Sequence, residues 1–235
     1  ALQNINFNLD ILVFDGCLMS LIDVPYEYYY EKLNLGYMVG SEGYIPLYGL
    51  PYDAILSSLT ENPWITPRDF SKVMIDKYVE CYCSHKWKTT LSAIEISKMR
   101  DVMDTTEPLI NFLMKDLEAY RGVITSARAQ SNLGWSVYGW EALVDFMSLV
   151  DLIGMNANQE EILNLTDLLL KTLSKAVFYV RSTSIMEERA GGLTVYFPPS
   201  YDSFIHNKWW YGSYYGNMQF SKVWLEFLTS YWNSK

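Results

Sequence analysis

The sequence has 235 residues, of which 50% are hydrophobic and 19% charged, and its formal net charge at pH 7 is -9. This is enough apolar chain to fill a core, which excludes a disordered protein, and the negative charge disfavours nucleic acid and anionic membranes as partners. No apolar run approaches the roughly 20 residues that span a bilayer, so we predict no transmembrane segment.

Short runs rich in β-branched and aromatic residues alternate with stretches of helical periodicity. The first is almost continuously apolar, as expected of a strand buried on both faces. The predicted strands are residues 9–14, 37–41, 91–96, 176–181 and 193–197. Between them, capping residues followed by apolar side chains at helical spacing predict helices that begin near Thr66, Asn158 and Ser221.

This alternation predicts an α/β fold with a mostly parallel sheet, covered by helices on both faces, and additional helices toward the C-terminus. We divide the chain into residues 1–200, which carry the sheet, and residues 201–235, an aromatic-rich segment with a final helix.

Cys17 lies just beyond the first predicted strand and is separated from it by Asp15 and Gly16. Open α/β sheets place reactive groups just beyond the carboxyl ends of their strands. Cysteine is also among the most buried residue types, so position alone leaves an inert core thiol as an alternative.

Several segments resemble the clostripain (C11) family of cysteine peptidases. Leu-Val-Phe-Asp-Gly-Cys-Leu-Met at residues 12–19 is similar to the nucleophile segment of that family, and six further segments match in the same order. These are residues 23–27, 37–42, 51–52, 91–98, 127–128 and 191–198. The resemblance implies a caspase-like α/β/α sandwich and peptide-bond hydrolysis through a thioester on Cys17.

Thioester chemistry needs a base near the thiolate, and histidine is suited to that task near neutral pH. The family draws its histidine from before the cysteine strand, whereas the two histidines of this sequence, His85 and His206, do not match that position. The resemblance therefore implies that an N-terminal light chain or precursor segment carries the histidine and pairs with the otherwise open edge of the first strand.

Family members cleave after arginine or lysine, which implies a pocket lined by carboxylates. Asp15 matches the acid of the family, although it could instead hold the turn at the strand end. Tyr48 stands where the family often has a second acid, and Glu42 is a candidate to compensate. We expect a basic preference that is weaker than in the family.

Three other interpretations concern ligands. Cys81, Cys83 and His85 are too few and too divergent on a helix to predict a metal site, and no cofactor is predicted, although calcium stays possible because some relatives need it. The ten aromatic residues between Tyr196 and Phe220, including Trp209, Trp210, Tyr211, Tyr214 and Tyr215, suggest core packing or, alternatively, a stacking surface.

Two function classes follow. The first is an endopeptidase, secreted or on the cell surface as the family resemblance implies. The second is a catalytically silent member of the same fold that binds peptide or glycan.

Overall fold

The computed structural model describes residues 8–84, 87–131, 142–183, 190–214 and 216–233, without the side chains of residues 207–210 and 214. His85, Tyr215 and the side chains of Trp209, Trp210 and Tyr214 lie outside the described part. Six strands are present in it: β1 (Leu9–Val13), β2 (Leu35–Gly40), β3 (Thr90–Glu95), β4 (Leu143–Asp145), β5 (Val177–Ser182) and β6 (Thr194–Tyr196).

Nine α-helices lie between and after these strands in the described residues. They are α1 (Asp23–Tyr30), α2 (Tyr52–Glu61), α3 (Pro67–Cys83), α4 (Met99–Lys115), α5 (Leu117–Gln130), α6 (Phe146–Ala157), α7 (Glu160–Ala176), α8 (Tyr201–Tyr214) and α9 (Gln219–Asn233). The predicted cap of α3 is confirmed, since the Thr66 side chain accepts a hydrogen bond from the Asp69 amide at 3.1 Å.

The main sheet has the strand order β1-β2-β3-β5. β1 and β2 are parallel, whereas β3 pairs antiparallel with both β2 and β5. Three of the four strands run in one direction, but only one of the three pairings is parallel, so the described sheet is mixed and not mostly parallel as predicted. The reversal of β3 is the reason, and hydrophobic patterning does not encode strand direction. A separate antiparallel pair joins β4 to β6.

Helices cover both faces of the main sheet. Successive side chains of each strand point to opposite faces, so both faces present apolar side chains that the helices bury. Met38 and Ile94 belong to a large core with α4, α7 and α9, whereas Val39 and Ala93 belong to a second core with α2 and α3. The predicted α/β/α arrangement is confirmed.

A buried polar group ties the C-terminal helices to the rest of the protein. Asp23, at the start of α1, has no exposed surface and accepts hydrogen bonds from Tyr211 of α8 at 2.9 Å and from Ser221 of α9. Burial raises the pKa of Asp23 to about 6. The division at residue 200 stays a prediction, although Asp23 connects the two parts directly.

β1 is an edge strand in the described residues, where its only sheet neighbour is β2. No helix in the described part of the chain combines the length and the apolarity needed to cross a membrane.

Candidate active site

The site forms where the parallel strands β1 and β2 end. The ladder continues one residue beyond β1, since the Phe14 amide donates to the Val39 carbonyl at 2.9 Å. Asp15 and Cys17 come next, and both are exposed. Exposure of Cys17 argues against the inert core thiol.

The turn after Cys17 has an unusual backbone. Leu18 has a φ of 63°, in the left-handed region that costs a bulky residue about 1–2 kcal/mol. The Leu18 amide donates to the Gly43 carbonyl at 2.9 Å, and the Ser20 amide donates to the Ser41 carbonyl at 3.0 Å. These two bonds hold the strained turn against the segment that follows β2.

The Cys17 sulfur lies against the same segment. The Ile45 amide donates a hydrogen bond to Sγ at 3.3 Å, and the Ile45 carbonyl lies 3.8 Å from Sγ. These contacts fix the position of the sulfur at the surface of the protein, next to the segment that follows β2.

No described histidine contacts Sγ. His206 lies on α8, where its Nδ1 is 2.7 Å from the Asp202 carbonyl of the same helix, and His85 lies outside the described residues. The described residues therefore contain a candidate nucleophile, Cys17, and no histidine beside it.

Asp15 connects β1 to the loop before α2. Its Oδ2 accepts hydrogen bonds from the Tyr52 hydroxyl at 2.8 Å and from the Leu50 amide at 3.3 Å. Gly49 has a φ of 69°, and a Cβ there would lie 2.5 Å from Oδ2, so only glycine fits. The hydrogen bond to Asp15, with a smaller effect of burial, raises the pKa of Tyr52.

Helix α3 and the segment after it hold the loop before α2 through hydrogen bonds. The Tyr82 hydroxyl donates to the Gly49 carbonyl at 2.7 Å, and Thr89, which is hydrogen-bonded to Tyr78, donates to the Tyr44 carbonyl at 2.9 Å. Burial raises the pKa of Tyr78 far above its usual range, so its phenol stays neutral. Tyr48, at the loop tip, is 87% exposed.

Glu42 occupies a very different environment. It is 0% exposed, and neither of its carboxylate oxygens accepts a hydrogen bond from a described residue. Burial, and then the charge of Asp145, raises the pKa of Glu42 well above its ordinary value. Protonation of Glu42 removes the repulsion between the two carboxylates, because a neutral Glu42 can donate a hydrogen bond to Asp145.

Asp145 is the better placed of the two to keep its charge. It caps α6, and its oxygens accept hydrogen bonds from the Ser148 amide at 2.6 Å and the Gly191 amide at 2.7 Å. Of the predicted pocket residues, the structure thus brings Asp15 and the loop of Tyr48 to the surface beside Cys17, and encloses the carboxyl group of Glu42.

Sequence reasoning missed Asp145 and the contact between Tyr52 and Asp15. An aspartate between an apolar strand and an apolar helix is a cap signal that would have singled out Asp145. No local signal links Tyr52 to Asp15.

The other candidate ligand sites gain no support. Cys81 and Cys83 are exposed near the end of α3, and the described residues contain no cluster of three or more metal-ligating side chains. Calcium stays an open prediction. In the aromatic segment, Tyr211 is buried and stacks on Tyr196 with ring centroids 4.1 Å apart, which is core packing.

An exposed thiol beyond a parallel strand of an α/β/α sandwich is the arrangement of caspase-like cysteine hydrolases. The family model of the clostripain family, peptidase C11, matches residues 1–232. The chain therefore belongs to the clostripain family of cysteine peptidases.

Solved structures share the fold. An inactive zymogen C11 protease from Parabacteroides distasonis is 18% identical with a TM-score of 0.62, over 94% of this chain and 60% of the other. A Bacteroides thetaiotaomicron clostripain in complex with the peptide inhibitor BTN-VLTK-AOMK is 16% identical with a TM-score of 0.61, over 94% and 90%. A B. fragilis cysteine protease is 16% identical with a TM-score of 0.66, over 98% and 93%.

The chain thus spans 60% of the P. distasonis protein and nine-tenths or more of the other two. A search among curated proteins finds no match.

Proposed function

We propose that this chain is the cysteine-bearing part of an endopeptidase that hydrolyses peptide bonds through a thioester on Cys17. The observation that carries the proposal is the exposed Cys17 sulfur beyond β1, with the Ile45 amide donating to it, in a chain of the clostripain family.

In the proposed reaction, the Cys17 thiolate attacks the carbonyl carbon of the scissile peptide. The C–N bond then breaks as the base protonates the leaving amine. Water then hydrolyses the thioester, which releases the acid product and restores the thiol.

The base in this proposal is a histidine from a segment outside these 235 residues, either a light chain or part of a precursor. Two observations support it: His206 has its hydrogen bond within its own helix, and β1 has an open edge among the described residues. A strand that pairs with this edge would end beside Cys17. The zymogen among the related structures supports activation by processing.

The substrate in this proposal carries arginine or lysine at P1, the residue whose carbonyl is attacked. Asp15 is the exposed carboxylate two residues before Cys17, and Tyr48 stands in the following loop where the family often has a second acid. Because Glu42 is enclosed and favours its neutral form, the pocket has one charge. The B. thetaiotaomicron clostripain is in complex with the peptide inhibitor BTN-VLTK-AOMK, whose peptide part ends in lysine, and this supports a basic P1 residue in the proposal. Export stays a prediction from the family resemblance.

Labelling tests the proposal. The protein is expressed from its whole reading frame, processed, treated with a biotinylated peptidyl acyloxymethyl ketone that ends in lysine, and mapped by mass spectrometry. We expect an adduct on Cys17, and Cys17→Ala should abolish both the adduct and peptidase activity, a loss of about 10⁴-fold or more.

A Cys81→Ala, Cys83→Ala double variant is the matched control and should label normally. An adduct on Cys81 or Cys83 and none on Cys17 would contradict the catalytic assignment and favour the silent, ligand-binding alternative.

A further inference from the structure

The two oxygens of the Asp15 carboxylate are unequally occupied. Oδ2 accepts both hydrogen bonds, from the Tyr52 hydroxyl at 2.8 Å and from the Leu50 amide at 3.3 Å. No group among the described residues donates to Oδ1. Each carboxylate oxygen has two lone pairs, so the structure saturates one oxygen and leaves the other to a substrate.

Lysine and arginine differ in what they require from such a carboxylate. The arginine guanidinium is a planar fork that binds best when both oxygens accept, one from each arm. The lysine ammonium is a compact point charge that one oxygen can satisfy. A carboxylate with one saturated oxygen therefore loses the contact that would favour arginine.

Tyr52 is held where it makes this contact. It is the first residue of α2, and the preceding loop is fixed against Asp15 by Gly49, which leaves no room for a side chain. The Tyr82 hydroxyl donates a hydrogen bond to the Gly49 carbonyl at 2.7 Å. The Tyr52 phenol therefore follows a loop whose backbone is fixed by these contacts.

We infer that Tyr52 is a specificity-determining residue, whose hydroxyl occupies Oδ2 of Asp15 and so sets a preference for lysine over arginine at P1. The inference rests on the proposed function, since it assumes that Asp15 receives the P1 side chain.

The test uses two peptide substrates that differ only in lysine or arginine at P1, with the processed enzyme. The measured quantity is the ratio of kcat/KM for lysine to kcat/KM for arginine. We expect wild type to favour lysine and Tyr52→Phe to move the ratio toward arginine by about tenfold, the size of one charge-assisted hydrogen bond.

Two further tyrosine variants separate this role from loop support. Tyr82→Phe loosens the loop without freeing Oδ2, so it should lower both rates equally and keep the ratio. Tyr30→Phe, on α1, removes an exposed phenol outside the site and should change neither rate.

A wild-type preference for arginine, or a ratio that Tyr52→Phe leaves unchanged while basic substrates are still cleaved, would overturn the inference alone. Absence of cleavage after either basic residue by an enzyme that labels on Cys17 would overturn the basic specificity of the proposed function, and the inference with it.

Discussion

Asp15 and Glu42 have equivalent positions relative to the end of a strand, but Asp15 is exposed and Glu42 is buried. Each stands two residues beyond the end of a strand, and the two strands, β1 and β2, are parallel neighbours. Asp15 is exposed and has two donors on one oxygen, whereas Glu42 has no exposed surface and no donor within the part of the chain that the structure describes.

The position of an acid relative to a strand end therefore does not decide its chemical environment. The Asp15 carboxylate meets the loop before α2 at the open surface. The Glu42 carboxyl meets Asp145, which lies far away in the sequence and already accepts two backbone amides. Asp15 keeps one oxygen without a donor among the described residues, whereas burial raises the pKa of Glu42 well above its ordinary value.

The largest expected effect comes from Glu42→Gln. The folded-state pKa of Glu42 is raised, so its contribution is fully present below the unfolded-state pKa and is lost as pH rises toward the folded-state value. The free energy of unfolding of wild type should therefore fall by up to about 1.4 kcal/mol per pH unit through this window. Glutamine mimics the protonated acid and removes that decline.

Urea unfolding between about pH 4.5 and 8 measures this effect. Glu42→Gln should be close to wild type at the acid end and more stable at the alkaline end, while Glu61→Gln, at an exposed glutamate of α2, should follow wild type throughout. A constant difference across the range would mean that Glu42 is ionised in the folded protein.

Asp23→Asn should have the next largest effect. The pKa of Asp23 is raised to about 6 by burial, although two hydroxyl groups donate to it. The free energy of unfolding should thus decrease between about pH 4 and 6, by about 3 kcal/mol in total. Asparagine can keep hydrogen bonds with Tyr211 and Ser221, whose hydroxyls both donate and accept, so the variant should lack this decline.

The same unfolding series measures it, with Asp202→Asn at an exposed position of α8 as the control. If Asp23→Asn and wild type decline equally up to pH 6, another group carries the titration.

Asp15→Asn should alter stability least. The neutral amide oxygen can still accept from Tyr52 and Leu50, so the melting temperature should stay within the usual range for surface substitutions. Cleavage after basic residues should fall by about ten- to a hundredfold because a charge-assisted contact is lost. Asp53→Asn, at an exposed residue of the first turn of α2, is the control. An unchanged basic preference would show that Asp15 only holds the loop.

Much of the fold could be predicted from the sequence. Strands expected at residues 9–14 and 91–96 are observed as Leu9–Val13 and Thr90–Glu95, because apolar runs and turn residues are local signals. The antiparallel direction of β3 could not be predicted, since burial on both faces gives the same pattern in either direction.

The site was predictable only in part. Cys17 and Asp15 could be found because their motif is contiguous. Tyr52 lies 37 residues from Asp15 in sequence, and Asp145 reaches Glu42 through a different part of the fold, so neither contact leaves a local pattern. The environment of Glu42 depends on such a partner, and its burial could not be read from its neighbours.

The left-handed backbone of Leu18 has a consequence for how this protein would respond to selection for thermal robustness. Glycine adopts that conformation without steric cost, but Leu18 also packs against the main core. Leu18→Gly would relieve backbone strain and at the same time lose apolar burial and add freedom to the unfolded chain. Selection for heat resistance should therefore retain a leucine in this strained turn.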